Sequence, residues 1–316
     1  MVSTPGPGIA HIDPHDLWSE SIFHINTLGN HAADYASNVR SILDSLPDEL
    51  SSDEIWPIIV AAGKGTRATT SGLDVPKPVA SICSEPAVVL VLRNIQGALG
   101  KTRPPIIIVS PETEKAVREA LSGEDVAFVI QREALGTGDA VLAAYETMAD
   151  FKGRTLVVWS TQPVIQKATY LRAMKLANLF DSYQMVLPTT FKQRPYAPIT
   201  RNDSGDVRSA VETHLERAIP IEHGETNIGL FLLRNQAMFE VLLNLRKNLW
   251  NEASNEYNRA SGELGFPNEL INAFAQREDG VFASPFADWR EEQGIKQLDD
   301  VSRCEQFIRE LQRENY

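Results

Sequence analysis

Residues 58–79 read IIVAAGKGTRATTSGLDVPKPV. The apolar run Ile58–Ala61 is compact enough to be a buried strand, and a loop with two glycines follows it directly. Gly63 and Gly65 place no side chain between the backbone and a ligand, so the N–H groups can approach a polyphosphate closely. The segment therefore predicts a phosphate site at the end of a strand.

Two cationic residues follow these glycines. Arg67 offers a planar fork of donors to phosphate oxygens, whereas Lys77 is a point charge stiffened by the prolines on either side of it. Such donors offset the charge of a pentavalent phosphorus transition state. The spacing matches neither GxxxxGK[ST] nor GxGxxG, which argues against a P-loop enzyme and against a dinucleotide-dependent oxidoreductase.

Beyond this segment, short apolar runs alternate with helix-like stretches. We predict strands at Ile58–Ala61, Ile106–Val109, Val126–Ile130 and Thr155–Trp159, with helices near 86–99, 112–121 and 138–149. This alternation is typical of an α/β protein with a mostly parallel, doubly wound, Rossmann-like sheet. Because ligands bind at the carboxyl ends of such strands, we expect loops 62–78, 110–112, 131–138 and 160–164 at one edge.

The ends of the chain differ from this central part. Residues 1–54 are predicted as a helical N-terminal extension that packs on the main domain or on a second subunit of a homodimer. The main domain is predicted at 55–316, with one half at 55–183, a second half at 184–300 and a C-terminal helix at 301–313. In the second half we predict strands at Gln184–Pro188, Val207–Glu212 and Asn227–Leu233, and helices near 235–250 and 267–276.

Composition limits the classes of function. The chain has 316 residues, 43% of them hydrophobic, and a formal net charge of −12, which argues against a nucleic-acid partner. Apolar runs stay well short of the ~20 residues that cross a bilayer, so no membrane partner is expected. Only two cysteines, far apart in sequence, and the lack of a signal-peptide pattern favour a reducing, cytoplasmic location. A small phosphorylated ligand remains compatible with the acidic charge.

The motif AAGKGTR followed by PKPV resembles that of the sugar-phosphate nucleotidyltransferases, in particular the N-acetylglucosamine-1-phosphate uridylyltransferase domain. The resemblance continues in QREALGTGDA at 131–140, YAPITRNDSGDVRSAVE at 196–212 and ETNIGL at 225–230, and covers most of residues 55–300. It implies a nucleotidyltransferase-type fold, with a nucleotide-binding half at 55–183 and a sugar-phosphate-binding half at 184–300. It also implies that an NTP and a sugar 1-phosphate react to give an NDP-sugar and pyrophosphate.

The resemblance assigns roles to individual residues. The triphosphate would be held by Ala62, Gly63, Gly65, Thr66 and Arg67. Lys77 would bridge phosphates in the transition state. The base would be read by Gln131, Gly136 and Thr137, which favours UTP. The sugar side would be formed by Trp159, Ala197, Glu212 and Asn227. Taken without the other motifs, Glu212 and Asn227 would also be explained as an ordinary structural pair at the ends of strands.

The family's Mg²⁺ ligands are replaced in this chain. Thr161 stands where the family has an aspartate, and Lys296 stands where the uridylyltransferases have an asparagine. Mg²⁺ prefers hard oxygen ligands that these two side chains do not supply as a pair. Lys296 could replace the cation, or Asp139 could recruit Mg²⁺ from another direction unless it is only a charge near a helix N-terminus. The remaining alternative is a catalytically impaired nucleotide- or sugar-phosphate-binding protein.

We favour an active transferase, because the phosphate loop, Lys77 and the base-reading loop are all kept. The replacements on the sugar side leave room for an unusual acceptor, including a pseudo-sugar or cyclitol phosphate.

Overall fold

A computed structural model describes residues 32–47, 54–63, 65–100, 102–203, 205–211 and 221–314. The strands in chain order are β1 (Ile55–Ala61), β2 (Ser81–Ile82), β3 (Glu85–Pro86), β4 (Ile106–Val109), β5 (Ala127–Ile130), β6 (Arg154–Trp159), β7 (Met185–Gln193), β8 (Ile199–Arg201), β9 (Val207–Ala210), β10 (His223–Asn227), β11 (Leu230–Arg234), β12 (Trp250–Asn251), β13 (Glu256–Tyr257) and β14 (Val281–Ser284).

The α-helices of these residues are α1 (Ala32–Ser45), α2 (Thr66–Thr70), α3 (Ala87–Leu99), α4 (Glu114–Ala120), α5 (Thr137–Leu142), α6 (Tyr145–Met148), α7 (Lys167–Leu179), α8 (Asn235–Leu249), α9 (Pro267–Phe274) and α10 (Asp299–Glu314). Two 3₁₀ turns, Lys77–Val79 and Trp289–Glu292, complete the described secondary structure. None of the helices in these ranges is long and apolar enough to cross a membrane.

Eight of the described strands form one sheet, in the order β10-β7-β11-β6-β1-β4-β5, with β14 beside β7. The strands around β1 run parallel, as do β14 and β7, whereas β11 and β10 pair antiparallel with their neighbours. The predicted α/β class with a mostly parallel central sheet is therefore confirmed, and the second half of the chain adds the antiparallel strands.

The central strand β1 explains why helices cover both faces of the sheet. Ile59 and Ala61 belong to a core that includes side chains of α3 and α7, whereas Ile58 and Val60 belong to one that includes α5, α8 and α9. Alternate residues of a strand point to opposite faces, so an all-apolar strand needs a cover on each side. Burying both faces fixes β1 in the middle of the domain.

The N-terminal extension is helical where it is described. Val39 and Leu43 of α1 are buried in the same core as α3 and α7. The helix is also tied to α7 by the Lys175 ammonium, which donates to the Leu46 carbonyl at 2.8 Å, and by an Arg172–Asp44 ion pair at 2.7 Å. The boundary at residue 54 and the contact with a second subunit stay predictions, and residues 1–31 lie outside the described part.

Two predicted elements of the second half need correction. The predicted strand Asn227–Leu233 is two strands, because the chain turns between β10 and β11 at Gly229, whose φ is +82°. The strand predicted at Val207–Glu212 ends at Ala210. Helix α7 was not predicted, although it buries Tyr170, Ala173 and Ala177 at near-helical spacing.

Candidate active site

A cleft of about 430 Å³ opens where the carboxyl ends of β1 and β6 meet. Residues of three predicted loops, 62–78, 131–138 and 160–164, line it. The fourth loop, 110–112, contributes no lining residue. Thr113 directly after it instead donates its hydroxyl to the Ala61 carbonyl at 2.9 Å and accepts from the Ser110 amide at 3.0 Å. That loop therefore supports the end of β1 from outside the cleft.

The glycine loop forms one wall of the cleft. Ala62, Gly63 and Gly65 line it directly after β1. Gly65 has a φ of +67°, which favours glycine, and a Cβ placed on Gly63 would meet nothing within 4 Å. The backbone is thus open on this side to a ligand of polyphosphate size. Thr66 and Arg67 begin α2, but their side chains lie outside the described part.

Lys77 lies on the same wall as the glycine loop. It is the first residue of a 3₁₀ turn in which the Val79 amide donates to the Pro76 carbonyl at 2.9 Å. Its Cε lies 3.9 Å from the position that a Cβ on Gly65 would take. The two prolines hold this turn stiffly, because each fixes its own φ. The lysine is therefore presented to the glycine loop from a short, rigid segment.

Gln131 also lines the cleft, and the nitrogen of its amide group is held by the protein. Its Nε2 donates to the Gly136 carbonyl and to Asp139 Oδ2, both at 3.0 Å. The Tyr257 hydroxyl donates to Asp139 Oδ1 at 2.8 Å. Each carboxylate oxygen of Asp139 therefore has a protein partner, and Asp139 does not line the cleft. This arrangement places Asp139 as a partner of Gln131 and does not favour it as a metal ligand.

Residues 136–138, here called the GTG loop, are contacted by residues 261–267, here called the clamp. No site residue was predicted in the clamp. The Gly138 amide donates to the Leu264 carbonyl at 2.9 Å, and the Phe266 amide donates to the Thr137 hydroxyl at 3.0 Å. Gly136 has a φ of +103°, and a Cβ there would lie 2.3 Å from the Leu264 carbonyl oxygen. Glycine is thus required at 136 for both conformation and space, and four residues of the clamp line the cleft, namely Ser261, Glu263, Gly265 and Pro267.

We expect Gly136→Ala to lower the free energy of unfolding by about 2–4 kcal/mol, because it adds a steric clash to backbone strain. Gly123→Ala is the matched control, since Gly123 also has a positive φ of +88° but a Cβ there would meet nothing within 4 Å. That variant should lose about 1–2 kcal/mol from strain alone. Urea denaturation of both variants measures the difference, and equal losses would contradict the close approach of the clamp.

The sugar-side residues line a third part of the cleft. Trp159, Ala197 and Asn227 are all at its surface, whereas Glu212 lies outside the described residues. Asn227 accepts from the Gly229 amide at 3.1 Å, and its Nδ2 is buried with no hydrogen-bond partner in the described part of the chain. A buried donor without a partner is costly, so a ligand acceptor at this point would be favoured.

Thr161 and Lys296 are brought together at the end of β6. Both line the cleft, and the Ile295 amide donates to the Thr161 carbonyl at 2.9 Å. The Lys296 ammonium lies 3.7 Å from the centre of the Tyr196 ring, a cation–π contact. It also lies 4.0 Å from Glu292.

Glu292 is shared between two lysines. Its Oε2 accepts from the Lys192 ammonium at 2.5 Å, and the carboxylate is only 8% exposed. Neither the sequence spacing nor a motif indicated this contact, because Glu292 and Lys192 are 100 residues apart. The Lys296 ammonium thus lies beside the cleft with the Tyr196 ring and the Glu292 carboxylate as neighbours.

The donor set around Thr161 does not fit the Mg²⁺ that the resemblance implies. A hydroxyl and an ammonium replace the expected carboxylate and amide, and Glu292 already balances two lysines. Among the residues that the structure describes, no group of three or more His, Cys, Asp and Glu side chains could hold a metal ion. This donor set therefore does not support a chemical step through a metal.

Comparison with known proteins gives one family match and several relatives. Residues 57–247, more than half of the chain, match the family model of the MobA-like NTP transferase domain. The bifunctional protein GlmU of Streptococcus thermophilus (strain ATCC BAA-491 / LMD-9) is 28% identical over 263 residues, which cover 80% of this chain and 52% of the relative.

Two further relatives carry the same name. GlmU of Streptococcus agalactiae serotype V is 29% identical over 261 residues, or 80% of this chain and 52% of the relative. GlmU of Clostridium botulinum (strain Kyoto / Type A2) is 32% identical over 199 residues, or 62% and 41%. The chain thus spans about half the length of the curated streptococcal relatives that it matches.

Proposed function

This chain belongs to the family of MobA-like NTP transferase domains, and we propose that it transfers a nucleotidyl group from an NTP to a sugar 1-phosphate. The acceptor could equally be a pseudo-sugar or cyclitol phosphate, and the products would be an NDP-sugar and pyrophosphate. The observation that carries the proposal is the grouping of four features around one cleft. These features are the glycine loop with Lys77, the base loop with Gln131, the sugar-side residues and the fixed Lys296.

The reaction asks little covalent work of the protein. An oxygen of the sugar 1-phosphate attacks the α-phosphorus in line, a new P–O bond forms, and the bond to the β-phosphate bridging oxygen breaks. Pyrophosphate leaves with the electron pair of that bond. The attacking phosphate is already anionic, so no general base is needed, and positioning and charge stabilisation dominate.

The two lysines, which both line the cleft, would stabilise this charge together. Lys77 stands beside the glycine loop, where the triphosphate would lie, whereas Lys296 stands beside Thr161 at the end of β6. A fixed ammonium group costs no reorganisation when charge develops on the transferring phosphoryl group. Lys296 would therefore carry out the charge neutralisation that the family assigns to a metal.

A second candidate function is favoured by the same replacements. If Thr161 and Lys296 leave the transferring group too weakly stabilised, the fold would serve as a nucleotide- or sugar-phosphate-binding protein. This alternative keeps the cleft and the base loop but has no turnover.

Pyrophosphate release separates the two functions. The protein is incubated with each NTP and a panel of sugar and cyclitol 1-phosphates, both with Mg²⁺ and with a chelator. We expect release with at least one pair of substrates. Binding of an NTP without release, across the whole panel and under both conditions, would support the binding protein and overturn the transferase.

A further inference from the structure

The orientation of the Gln131 amide is determined by its neighbours. A primary amide has two N–H donors on one side and one carbonyl acceptor on the other. The Gly136 carbonyl and the Asp139 carboxylate can only accept, and both lie 3.0 Å from Nε2. The flipped amide would turn its oxygen toward two acceptors, which repel it. Both N–H groups are therefore committed to the protein, and the carbonyl oxygen is the group that Gln131 can offer to a ligand.

Asp139 is in turn held by Tyr257, which precedes the clamp in the chain. Tyr257, on β13, is buried and donates to Asp139 Oδ1 at 2.8 Å. Burial and the contact with Asp139 raise the pKa of Tyr257 above its ordinary value, so the hydroxyl remains a donor at neutral pH. The hairpin β12–β13 is thus connected to the base loop through a chain of side chains, Tyr257 to Asp139 to Gln131.

We propose that Asp139 and Tyr257 are positioning residues that hold the Gln131 carbonyl oxygen toward the nucleobase, so that the cleft selects a base with a ring N–H at that point. Uracil, thymine and guanine carry such a lactam N–H, whereas cytosine and adenine carry an acceptor ring nitrogen there. An acceptor facing the fixed oxygen leaves both groups without a hydrogen bond, which is costly in a desolvated site. This inference rests on the proposed function only in requiring that an NTP binds in the cleft.

UTP and CTP form the sharpest pair of probes, because they differ only at ring position 3 and its neighbour. Isothermal titration of each nucleotide, without acceptor substrate, measures binding and does not depend on turnover. We expect the wild-type protein to bind UTP at least about tenfold more tightly than CTP.

Asp139→Asn tests the positioning role. An asparagine can donate to Gln131 as well as accept from it, so one of the two acceptors that oppose the flipped Gln131 amide is removed and only the Gly136 carbonyl still opposes it. The UTP-to-CTP binding ratio should then fall, because the flipped amide, which presents its NH₂ group to the base, becomes less unfavourable. Tyr257→Phe keeps the ring and removes one hydrogen bond, and should lower the ratio less.

The matched control is Asp150→Asn, since Asp150 is exposed and does not line the cleft. Its ratio should equal that of the wild type. A general loss of folding would weaken the binding of both nucleotides equally, so the UTP-to-CTP binding ratio separates positioning from stability. Tyr257→Phe provides a second variant if Asp139→Asn does not fold.

Two results would overturn the inference: equal binding of UTP and CTP by the wild type, or an unchanged ratio in Asp139→Asn. Selective UTP binding that is reduced in Asp139→Asn, without any pyrophosphate release, supports the inference and overturns the transferase. Release of pyrophosphate without selection between UTP and CTP supports the transferase and overturns the inference.

Discussion

Lys77→Ala is expected to lower the rate of nucleotidyl transfer by about 10²–10³-fold, the usual cost of losing a fixed donor to transition-state charge. The loss should appear in kcat more than in KM, because the backbone of the glycine loop still holds the triphosphate in the ground state. Lys77 is placed for this role by a proline-bounded turn beside Gly65. Initial rates of pyrophosphate release under saturating NTP measure the effect.

Lys115→Ala is the matched control for Lys77→Ala, because Lys115 is an exposed lysine on α4 away from the cleft. Its rate should stay within about twofold of the wild type, as for most surface substitutions. Lys77→Arg keeps the charge but changes its shape and reach, and is expected to recover only part of the rate. A Lys77→Ala enzyme with an unchanged kcat would remove Lys77 from the chemistry and place the charge stabilisation elsewhere.

Local patterns predicted the central strands of the sheet well. The predicted strand Ile58–Ala61 is the carboxyl-terminal part of β1, which begins three residues earlier at Ile55, and the predicted strand Ile106–Val109 is β4 with unchanged bounds. These strands are buried on both faces, so nearly every residue in them is apolar and the pattern is easy to recognise. The two glycines after β1 marked a loop that does lie at the cleft.

Long-range contacts could not be predicted in this way. The clamp at residues 261–267 joins the GTG loop about 130 residues earlier in the chain, and no local periodicity signals such a partner. The same holds for Tyr257, which determines the environment of Asp139 from 118 residues away. Asp139 could therefore be considered as a metal ligand from sequence, because its two hydrogen-bond partners become visible only in the folded chain.

For the question of a metal site, the side-chain types at positions 161 and 296 were more informative than the spacing between residues. Thr161 and Lys296 lie 135 positions apart in the chain, and both line the cleft. What the sequence could not provide is the surroundings of the ammonium group, with Tyr196 on one side and Glu292 on the other. These contacts fix the position of a charge that would otherwise be mobile on a four-carbon chain.

The largest change in cofactor dependence is expected from Thr161→Asp combined with Lys296→Asn. A carboxylate and an amide oxygen supply the hard ligands that Mg²⁺ prefers, and they replace the ammonium group at the end of β6. We expect the wild-type enzyme to release pyrophosphate in a chelator at nearly its full rate. The double variant should be silent in the chelator and recover activity when Mg²⁺ is added in excess over the NTP.

The single variants identify which replacement is responsible. Lys296→Ala should lose about 10²–10³-fold in kcat without metal, since the fixed charge is gone and no ligand replaces it. Thr161→Asp alone would place a carboxylate beside the Lys296 ammonium, and the resulting ion pair should lower kcat without creating a metal requirement. A wild-type enzyme that loses all activity in the chelator would show that Lys296 does not stand in for the cation, because the charge of Lys296 is unaffected by a chelator. The metal would then have to bind through the phosphates and water, with the protein contributing at most the Thr161 hydroxyl.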